Sequence, residues 1–555
     1  MAESGGRPVS EAVEADFVIV GSGVGALCAA LVQHDLGKRP LILEKTDKFG
    51  GSTAMGGGIM WIPASGPQLA AGVPDSFEKG RQYMNALIGA APGSSPARKE
   101  AYLRTGPRLI EYLQSKGVPF EFCDGWSDYH DELPGGMPRG RSVSAKMFDV
   151  RRLGAWAPLM RRGAPVPLRA TEIRTFLLAG RTFAGKRTAA RVAARVAFMK
   201  ATGKEFVTSG AALQARLARK LLDRGVELQL NSPVVDLVEE GGRIVGVVAE
   251  CDGRSTVIRS RGGVLIAAGG FARNPLMRRQ YGPQPSSIEW TNANPGDTGE
   301  MIECARRRGA GLAQMEEAIW LLSSLPPGAA KPFSHAIELA KPHSMVVNAA
   351  GERFMDEAGS YMETGQRVYA QGAVPCWAIL ESRHRQRYFW GRVAPGMTPS
   401  AWLSSGYMKK ADTLEDLARQ CGVDPAGLRR SVERFNAAAA TGLDPDFRRG
   451  GRAYDRFYGD PTHRPNPCLG SIEKAPFYAV ALYPGDVGTF GGIMTDEHAR
   501  VIRDDGSVIA GLYATGNSTA SVMGRKYPGA GASVGASAVW GYVAARHAAG
   551  AAGDA

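Results

Sequence analysis

Long apolar runs are missing from this 555-residue sequence, in which no stretch reaches the roughly 18 residues that a membrane-spanning helix needs. Residues 1–16 have neither the basic start nor the apolar centre of a secretion signal, and we expect none. The seven cysteines are scattered, odd in number and never spaced CxxC, and the eight histidines form no HExxH pattern. These absences predict no disulfide framework, no metal site and a reducing, cytoplasmic location.

Acidic residues are in the minority, which leaves a net charge of +13. A net positive charge of this size is compatible with binding to a nucleic acid or to a membrane surface, and also with neither. No helix-turn-helix, zinc-finger or RNP-type signature accompanies the charge, so nucleic acid is not an expected partner. With 44% hydrophobic and 22% charged residues, the chain has the composition of a globular protein of about two to four domains.

A β-α-β pattern begins at Asp16. An apolar run of strand length leads into the turn Gly21-Ser22-Gly23, a helical pattern follows, and a second apolar run ends in Glu44. A strand before the turn, a helix after it and an acid about 20 residues further on are typical of dinucleotide binding. An ordinary glycine-rich turn is the alternative, and it does not account for the acid.

Each position of this turn has its own expected task. Gly21 allows the tight turn, and Gly23 lets the backbone approach a pyrophosphate held at the helix N-terminus. Ala26 replaces the third glycine and is small enough for the helix to pack on the strand. Glu44 would accept hydrogen bonds from an adenosine ribose. The dinucleotide contacts expected from this unit are Gly21, Gly23, Val24, Gly25, Ala26 and Glu44.

A second glycine-rich turn, residues 45–58, follows the ribose acid directly. A nicotinamide enzyme has no need of it, whereas the ribityl chain and ring edge of FAD must be lined closely by backbone. We therefore expect FAD. The further contacts predicted for it are Lys45, Gly51, Ser52, Thr53, Gly57, Gly58, Val235, Ala268, Gly269, Gly516, Asn517, Ala532, Ser533 and Val534.

The predicted fold class is α/β, with a Rossmann-like FAD-binding domain of the GR2 type that is discontinuous in sequence. Its two parts are expected at residues 14–286 and 483–555. Between them, residues 287–482 are rich in tryptophan, tyrosine and loops, and they predict an inserted α+β domain that caps the flavin and supplies catalytic groups.

Residues 173–204, within a basic insert at 150–204, contain eight Lys and Arg and no Asp or Glu. Arg187, Arg191 and Arg195 recur every four residues and so share one helical face, with an apolar face beside them. Such a helix can lie in a membrane interface with its arginines on anionic headgroups. The alternative is an amphipathic helix packed on the core with a solvated basic face.

Several motifs together resemble the FAD-dependent fumarate reductase/succinate dehydrogenase flavoprotein superfamily and, within it, the 3-ketosteroid Δ1-dehydrogenases. The resemblance runs nearly end to end. The motifs are GGST after Glu44, GWSDYH and PGG within 125–136, EAGSY at 357–361, YPGDVGTFGG at 483–492, and GLYATGN with VMGRKYPGAGASVG at 511–535. The basic insert is similar to that of the membrane-associated branch acting on cholest-4-en-3-one.

The resemblance implies a division of roles in sterol degradation. Tyr527 and the Gly531 backbone N–H would hold the carbon 3 ketone oxygen of the steroid, Tyr361 would remove a proton from carbon 2, and Tyr129 would support Tyr361 by hydrogen bonding. Hydride would pass from carbon 1 to flavin N5. Relatives with covalent FAD use a histidine in the turn after the ribose acid, and residues 45–58 contain none, so FAD is expected to be non-covalent.

Other functions stay open at this point. A Δ4-(5α) 3-ketosteroid dehydrogenase or a fumarate reductase-like enzyme would share the fold, and a flavin-bearing membrane protein without turnover belongs to a different class. The expected partners of the enzyme are a steroid, an external acceptor such as a quinone, and the inner face of the cell membrane through residues 173–204. A second copy of the chain, in a homodimer, is a further candidate partner.

Overall fold

Strands and helices alternate through the first half of the chain in the computed structural model, which describes residues 13–163, 165–251 and 253–551. The expectation about a secretion signal therefore lies mostly outside the described residues. Up to residue 281 the strands are β1 (Val13–Ala15), β2 (Phe17–Val20), β3 (Pro40–Leu43), β4 (Ile59–Trp61), β5 (Phe120–Phe122), β6 (Ser142–Ala145), β7 (Phe148–Asp149), β8 (Phe206–Val207), β9 (Glu227–Gln229), β10 (Val234–Glu240), β11 (Arg243–Cys251), β12 (Arg254–Ser260) and β13 (Val264–Ile266). The helices are α1 (Val24–Asp35), α2 (Gly51–Met55), α3 (Gly66–Ala70), α4 (Phe77–Ile88), α5 (Pro96–Ser115), α6 (Ile173–Phe176), α7 (Phe183–Thr202), α8 (Ser209–Leu222) and α9 (Pro275–Tyr281), with 3-10 helices at Val150–Trp156 and Ala170–Glu172.

The second half has shorter strands. They are β14 (Leu312–Ala313), β15 (Ala318–Trp320), β16 (Ser323–Ser324), β17 (Phe333–Ser334), β18 (Ser344–Val347), β19 (Cys376–Leu380), β20 (Met408–Ala411), β21 (Phe477–Leu482), β22 (Asp486–Thr489), β23 (Gly492–Ile493), β24 (Arg500–Ile502) and β25 (Val508–Ala514). The helices are α10 (Glu300–Arg307), α11 (Tyr361–Ala370), α12 (Ser382–Arg387), α13 (Ser400–Ser404), α14 (Leu414–Cys421), α15 (Pro425–Thr441), α16 (Ala453–Tyr458) and α17 (Ala532–Ala548), with a 3-10 helix at Gly516–Ser518.

A ten-stranded sheet forms the frame of the molecule, and its order is β1-β12-β11-β25-β13-β2-β3-β9, with β10 and β24 pairing beside it. The central strands β2, β3, β13 and β25 run parallel. All four residues of β2 are buried, which explains why the strand reads as an unbroken apolar run. Because β25 comes from the end of the chain, the first and last parts of the sequence share one sheet, as the proposed discontinuous domain requires.

Helices α1 and α17 pack against each other at glycines. A Cβ added to Gly541 would lie 2.2 Å from the Gly25 carbonyl oxygen, so only glycine permits this approach. A Cβ on Gly25 would meet the Ser537 carbonyl oxygen at 2.6 Å. The helix before and the helix after the large insertion are thus in direct contact, and the first residues of both line one cavity, Gly23 and Gly25 at α1 and Ser533 and Val534 at α17.

Residues 287–482 build a separate four-stranded antiparallel sheet in the order β18-β19-β21-β20. Two apolar clusters lie on it, one around Trp390 and Trp402 and one around Leu428 and Phe435. Helix α11 begins at Tyr361 and packs on β15. The sheet with flanking helices agrees with the α+β character expected of this segment, while the domain limits themselves remain a proposal.

The basic segment forms two helices, the short α6 and the longer α7, rather than one. Thr182 caps α7 by accepting a hydrogen bond from the Gly185 N–H at 2.9 Å. The prediction that three arginines share a free basic face is wrong for Arg195. Its guanidinium donates two hydrogen bonds of 2.9 Å to Glu172, and its side chain is only 10% exposed.

No helix within the described parts of the chain has the length and apolar character to cross a membrane.

Candidate active site

One cavity of about 1180 Å³ runs from the turn after β2 to the N-terminus of α17 and the start of α11. It brings together nearly all the residues that the sequence predicts for the cofactor and the catalytic group. Those that line it are Gly21, Gly23, Gly25, Glu44, Lys45, Gly51, Ser52, Thr53, Gly57, Gly58, Tyr129, Val235, Ala268, Gly269, Tyr361, Gly516, Asn517, Tyr527, Gly531, Ser533 and Val534. Val24, Ala26 and Ala532 do not line it, because they are fully buried in the helices beneath.

The first glycine turn fits a dinucleotide. Gly21 has φ of +100°, and a Cβ there would lie 2.3 Å from the Ala267 carbonyl oxygen. A Cβ on Gly23 would meet no atom within 4 Å, so this backbone opens directly on the cavity at the start of α1. Exposed backbone at a helix N-terminus is the arrangement that holds a pyrophosphate.

Glu44 is held in place at the end of β3. Its carboxylate accepts hydrogen bonds from the Ser22 hydroxyl at 2.5 Å, the Thr46 N–H at 3.0 Å and the Thr46 hydroxyl at 2.7 Å. The Ser22 hydroxyl also accepts from the Gly50 N–H at 2.9 Å, which ties the first glycine turn to the second. Only 7% of Glu44 is exposed, and what is exposed faces the cavity, as a ribose acceptor should.

Asp297 is a cavity residue that the sequence reasoning missed. It accepts a hydrogen bond from the Ser52 hydroxyl at 3.1 Å, and burial raises the pKa of its carboxyl group to about 7. Lys45 lines the cavity nearby, but its ammonium group binds Glu300 at 3.0 Å and the Thr298 hydroxyl at 2.5 Å. A sequence signal for Asp297 exists, because two glycines, Gly296 and Gly299, enclose it just before a helix.

Three tyrosines from distant parts of the chain meet at the other end of the cavity. The ring centroids of Tyr129 and Tyr361 are 5.3 Å apart, those of Tyr361 and Tyr527 5.4 Å, and those of Tyr129 and Tyr527 5.7 Å. Tyr129 lies in the loop after β5, where its N–H donates to the Pro528 carbonyl at 2.9 Å. Tyr361 is the first residue of α11, and Tyr527 lies in the loop that leads to α17.

Two hydrogen-bond donors lie together beside these rings. The Tyr527 hydroxyl is 3.0 Å from the Ser533 hydroxyl and accepts from the Ser533 N–H at 3.4 Å, which fixes its direction. Gly531 has φ of +89°, and a Cβ there would lie 2.0 Å from the Ile59 carbonyl oxygen, so glycine is required. In the described part of the chain no group accepts a hydrogen bond from the Gly531 N–H, which lines the cavity.

Burial raises the pKa of Tyr361 well above its usual value, and the neighbouring Tyr129 and Tyr527 add to the rise, in part through side-chain hydrogen bonds. The pKa of Tyr129 is raised for the same main reason. Arg353, a sequence-based candidate for a positive charge near the base, is bound elsewhere. It pairs with Glu357 at 2.8 Å and Asp444 at 2.9 Å, away from the cavity wall.

Further aromatic residues complete the site. Trp126 belongs to the GWSDYH motif noted in the sequence, whereas Tyr454 and Tyr458 were not identified there. Tyr454 packs on Tyr129 with ring centroids 4.1 Å apart, and Tyr458 lines the cavity. Trp126 also lines it and donates from its indole to the Ala170 carbonyl at 3.2 Å, next to α6. Tyr454 and Tyr458 lie four residues apart on α16, so a helical pattern of tyrosines was the available signal.

Neither a metal nor a covalent flavin link has support from the residues present. Among the described residues no group of histidine, cysteine, aspartate and glutamate could hold a metal ion. The described lining of the cavity includes no histidine, and its cysteine, Cys304, lies on α10 close to Val235.

Comparison with known proteins identifies the family of this chain. The FAD binding domain family matches residues 16–534. The 3-oxosteroid 1-dehydrogenase of Mycobacterium tuberculosis (strain ATCC 25618 / H37Rv) is 40% identical, over 96% of this chain and 98% of that protein. This chain belongs to the FAD-dependent 3-oxosteroid 1-dehydrogenase family. It is therefore an oxidoreductase that uses FAD, with the α/β flavoprotein fold that the sequence predicts.

Two solved structures share the fold of this chain. The 3-ketosteroid Δ1-dehydrogenase of Sterolibacterium denitrificans, in complex with 1,4-androstadiene-3,17-dione, is 37% identical with a TM-score of 0.91 over 97% of this chain and 99% of that one. The 3-ketosteroid Δ4-(5α)-dehydrogenase of Rhodococcus jostii RHA1 is 23% identical with a TM-score of 0.69 over 98% and 99%, and it shares the fold alone.

Proposed function

We propose that this enzyme introduces the Δ1 double bond into 3-ketosteroids by removing hydrogen from carbons 1 and 2. The observation that carries the proposal is the meeting of Tyr129, Tyr361 and Tyr527 with the Gly531 N–H in the cavity that also contains the FAD-binding turns. The names of the most similar relatives, which are 3-oxosteroid 1-dehydrogenases, point to the same reaction.

The ketone of the substrate is the group that makes the chemistry possible. A hydrogen next to a carbonyl becomes acidic only when the developing enolate oxygen is stabilised. The Tyr527 hydroxyl and the Gly531 N–H are two donors on one wall, and in our proposal both bind the carbon 3 oxygen as an oxyanion hole. Ser533 supports this role because it holds the Tyr527 hydroxyl.

Tyr361 is the proposed base for the carbon 2 proton, and Tyr129 is its hydrogen-bonded support. Both rings lie within 6 Å of Tyr527 by their centroids, at 5.4 and 5.7 Å, so a ketone bound at Tyr527 presents its neighbouring carbon to them. A tyrosine base requires stabilisation of its phenolate in the bound complex. FAD, when bound, supplies the acceptor for the hydride of carbon 1.

The wall of the cavity suits a neutral ring system. Trp126, Ile173, Ile337 and Tyr458 add aromatic and aliphatic surface to the cavity that contains the tyrosines. A fumarate-like dicarboxylate would instead need cations and a histidine beside the reacting carbons, and the described lining contains lysines and arginines but no histidine. We therefore favour cholest-4-en-3-one or androstenedione-type substrates over a dicarboxylate.

We further propose that the basic segment docks the enzyme on a membrane. Ile173 at the start of α6 lines the cavity, and α7 packs against α6, so the segment adjoins the substrate. Phe183 and Phe198 on α7 are 83% and 47% exposed. Lys186, Arg187 and Arg191 are exposed on the same helix. A quinone is the proposed electron acceptor, since it would be met in the same membrane.

The test is anaerobic mixing of the FAD-loaded protein with androst-4-ene-3,17-dione or cholest-4-en-3-one. We expect the flavin to bleach and the product to be the 1,4-diene, lighter by two hydrogens, by mass spectrometry. Bleaching only with a saturated 5α-3-ketosteroid, to give a 4-ene, would replace this function by the Δ4-(5α) reaction. If no steroid bleaches the flavin and fumarate reoxidises the reduced protein, the enzyme is reductase-like.

A further inference from the structure

Each of the three cavity tyrosines has a titratable residue close to it in sequence, and these three residues meet. His130 follows Tyr129, Lys526 precedes Tyr527, and Glu363 lies two residues after Tyr361. The Lys526 ammonium is 2.7 Å from the Glu363 carboxylate, and His130 Nε2 is 3.6 Å from the same oxygen, Oε1. The cluster lies behind the tyrosines, since none of its members lines the main cavity.

The ion pair joins two elements that carry reacting groups. Glu363 lies in the first turn of α11, whose first residue is Tyr361, so the rigid helix fixes one relative to the other. Lys526 is bonded directly to Tyr527 along the chain. The Glu363–Lys526 ion pair, between residues 163 apart in sequence, therefore links the helix that carries the proposed base to the loop that carries the proposed oxyanion donor. This link lies outside the cavity.

His130 contributes less to this contact than Lys526 does. Its side chain is 6% exposed, and burial lowers its pKa to about 4, so it is neutral at physiological pH. The charged groups that face it are Glu363, Lys526, Glu132 at 3.9 Å from Nδ1, and Arg452, which pairs with Glu132 at 3.1 Å. Its Nε2 makes no hydrogen bond with any described residue, which leaves Lys526 as the main partner of Glu363.

A second contact joins the same elements, so the ion pair is not the sole link between them. The Gln366 amide donates to the Arg525 carbonyl at 2.9 Å and to Glu317 at 3.0 Å, and Arg525 donates to the other oxygen of Glu317 at 2.8 Å. The side chains of Glu363 and Lys526 are 27% and 36% exposed, and ion pairs of such exposure contribute about 0–1 kcal/mol to stability. A displacement of roughly 1 Å at a reacting group, by contrast, can lower a rate about 100-fold.

We propose that Glu363 is a positioning residue, which through Lys526 sets the separation of Tyr361 and Tyr527 around the substrate ketone. The inference rests on the proposed function. It predicts that the pair matters for the proton-transfer step far more than for the stability of the protein or for binding of the steroid.

The test compares wild type with Glu363→Gln, which keeps the size of the side chain and removes its charge. We expect flavin reduction by androst-4-ene-3,17-dione in single turnover to slow about 10–100-fold, with the steroid Kd changed less than about threefold. The rate ratio for substrate with hydrogen or deuterium at carbon 2 should increase, because proton removal becomes slower relative to the other steps. Flavin content and reduction by dithionite should stay as in wild type.

Two further variants make the result decisive. Glu352→Gln removes an exposed carboxylate in the same segment and should behave as wild type. Lys526→Met should slow flavin reduction like Glu363→Gln, and the double variant should be no slower than the slower single one. Equal rates for Glu363→Gln and wild type would overturn the inference, and so would multiplicative losses in the double variant. If wild type itself fails to oxidise the steroid, the proposed function fails first.

Discussion

A tyrosine acts as a base near neutral pH only through the small fraction of its phenolate, and this fraction sets the expected behaviour of Tyr361. Burial and the neighbouring phenols raise its pKa, so the phenolate is scarce at pH 7 and grows about tenfold with each pH unit. We expect the rate of flavin reduction by a 3-ketosteroid to rise from pH 6 to pH 9 without a plateau. A rate independent of pH would argue against a tyrosine base.

Tyr361→Phe should retain FAD and show no turnover, because the change removes the proposed base.

Tyr527 should contribute as a donor rather than as a base. Its hydroxyl is held by Ser533 and it lines the same cavity as Gly531, whose N–H has no acceptor among the described residues, so one donor remains when it is removed. We expect Tyr527→Phe to lower kcat by roughly 10²–10³, which is the usual effect of losing one oxyanion-hole donor. Steady-state kinetics with androst-4-ene-3,17-dione would measure it. Turnover within a factor of two of wild type would remove Tyr527 from this role.

Asp297 should make the free energy of unfolding, rather than the reaction rate, depend on pH. Its pKa rises from about 4 in an unfolded chain to about 7 in the fold, so the folded protein loses stability as pH increases through this window. Asp297→Asn should be the more stable protein above pH 7, by on the order of a few kcal/mol, with the gap closing towards pH 4. Unfolding midpoints in urea at pH 5 and pH 8 would measure it. A gap that is the same at both values would contradict the assignment.

At the scale of elements, α7 should carry the interaction with lipid. Each exposed Lys or Arg near an anionic surface contributes about 1 kcal/mol, so Lys186, Arg187 and Arg191 together can hold the protein reversibly. We expect Lys186→Glu/Arg187→Glu to reduce co-sedimentation with anionic vesicles, and Phe183→Ser to reduce the part that resists salt.

Arg191 and Arg195 are left intact in this experiment, because both pair with Glu172, at 3.7 and 2.9 Å, and loss of these ion pairs could change how α7 is held on the fold. Arg430→Glu/Arg434→Glu on α15 makes the same change of charge on another helix and serves as the control. If both charge-reversed proteins pellet as wild type does, the basic segment is a solvated helix and the membrane proposal fails.

Elements with local signals were predictable, and contacts between distant elements were not. The Gly21-Ser22-Gly23 turn and Glu44 identify the dinucleotide fold because turn, helix and acid follow within one short stretch. Helical periodicity did not indicate the break between α6 and α7. It also could not show that Arg195 pairs with Glu172, because this acid lies before the helix. Tyr454 was missed for a similar reason. Its spacing from Tyr458 marks one face of a helix, but the contact of that face with Tyr129 depends on how α16 packs in the fold.

At the scale of the whole molecule, we expect FAD to be bound without a covalent link and to be released when the protein unfolds. The described lining of the cavity contains no histidine, and residues 45–58 contain none in the sequence. Acid precipitation should therefore leave the yellow colour in the supernatant. The protein without flavin should unfold at a lower temperature, because a ligand that binds only the folded state stabilises it. Colour that stays with the pellet would demonstrate a covalent link.

The place of β25 has a consequence for the order of events on the ribosome. This strand pairs with β13 on one side and meets β11 on the other, yet the whole inserted segment is made between β13 and β25. Until residues 508–514 emerge, β13 presents an open parallel edge, and α1 lacks the helix that packs on it. Open strand edges invite pairing with other chains. The edge of β13 therefore stays open while the whole inserted segment is synthesised, and the cavity for the cofactor is incomplete until residues 531–534 follow.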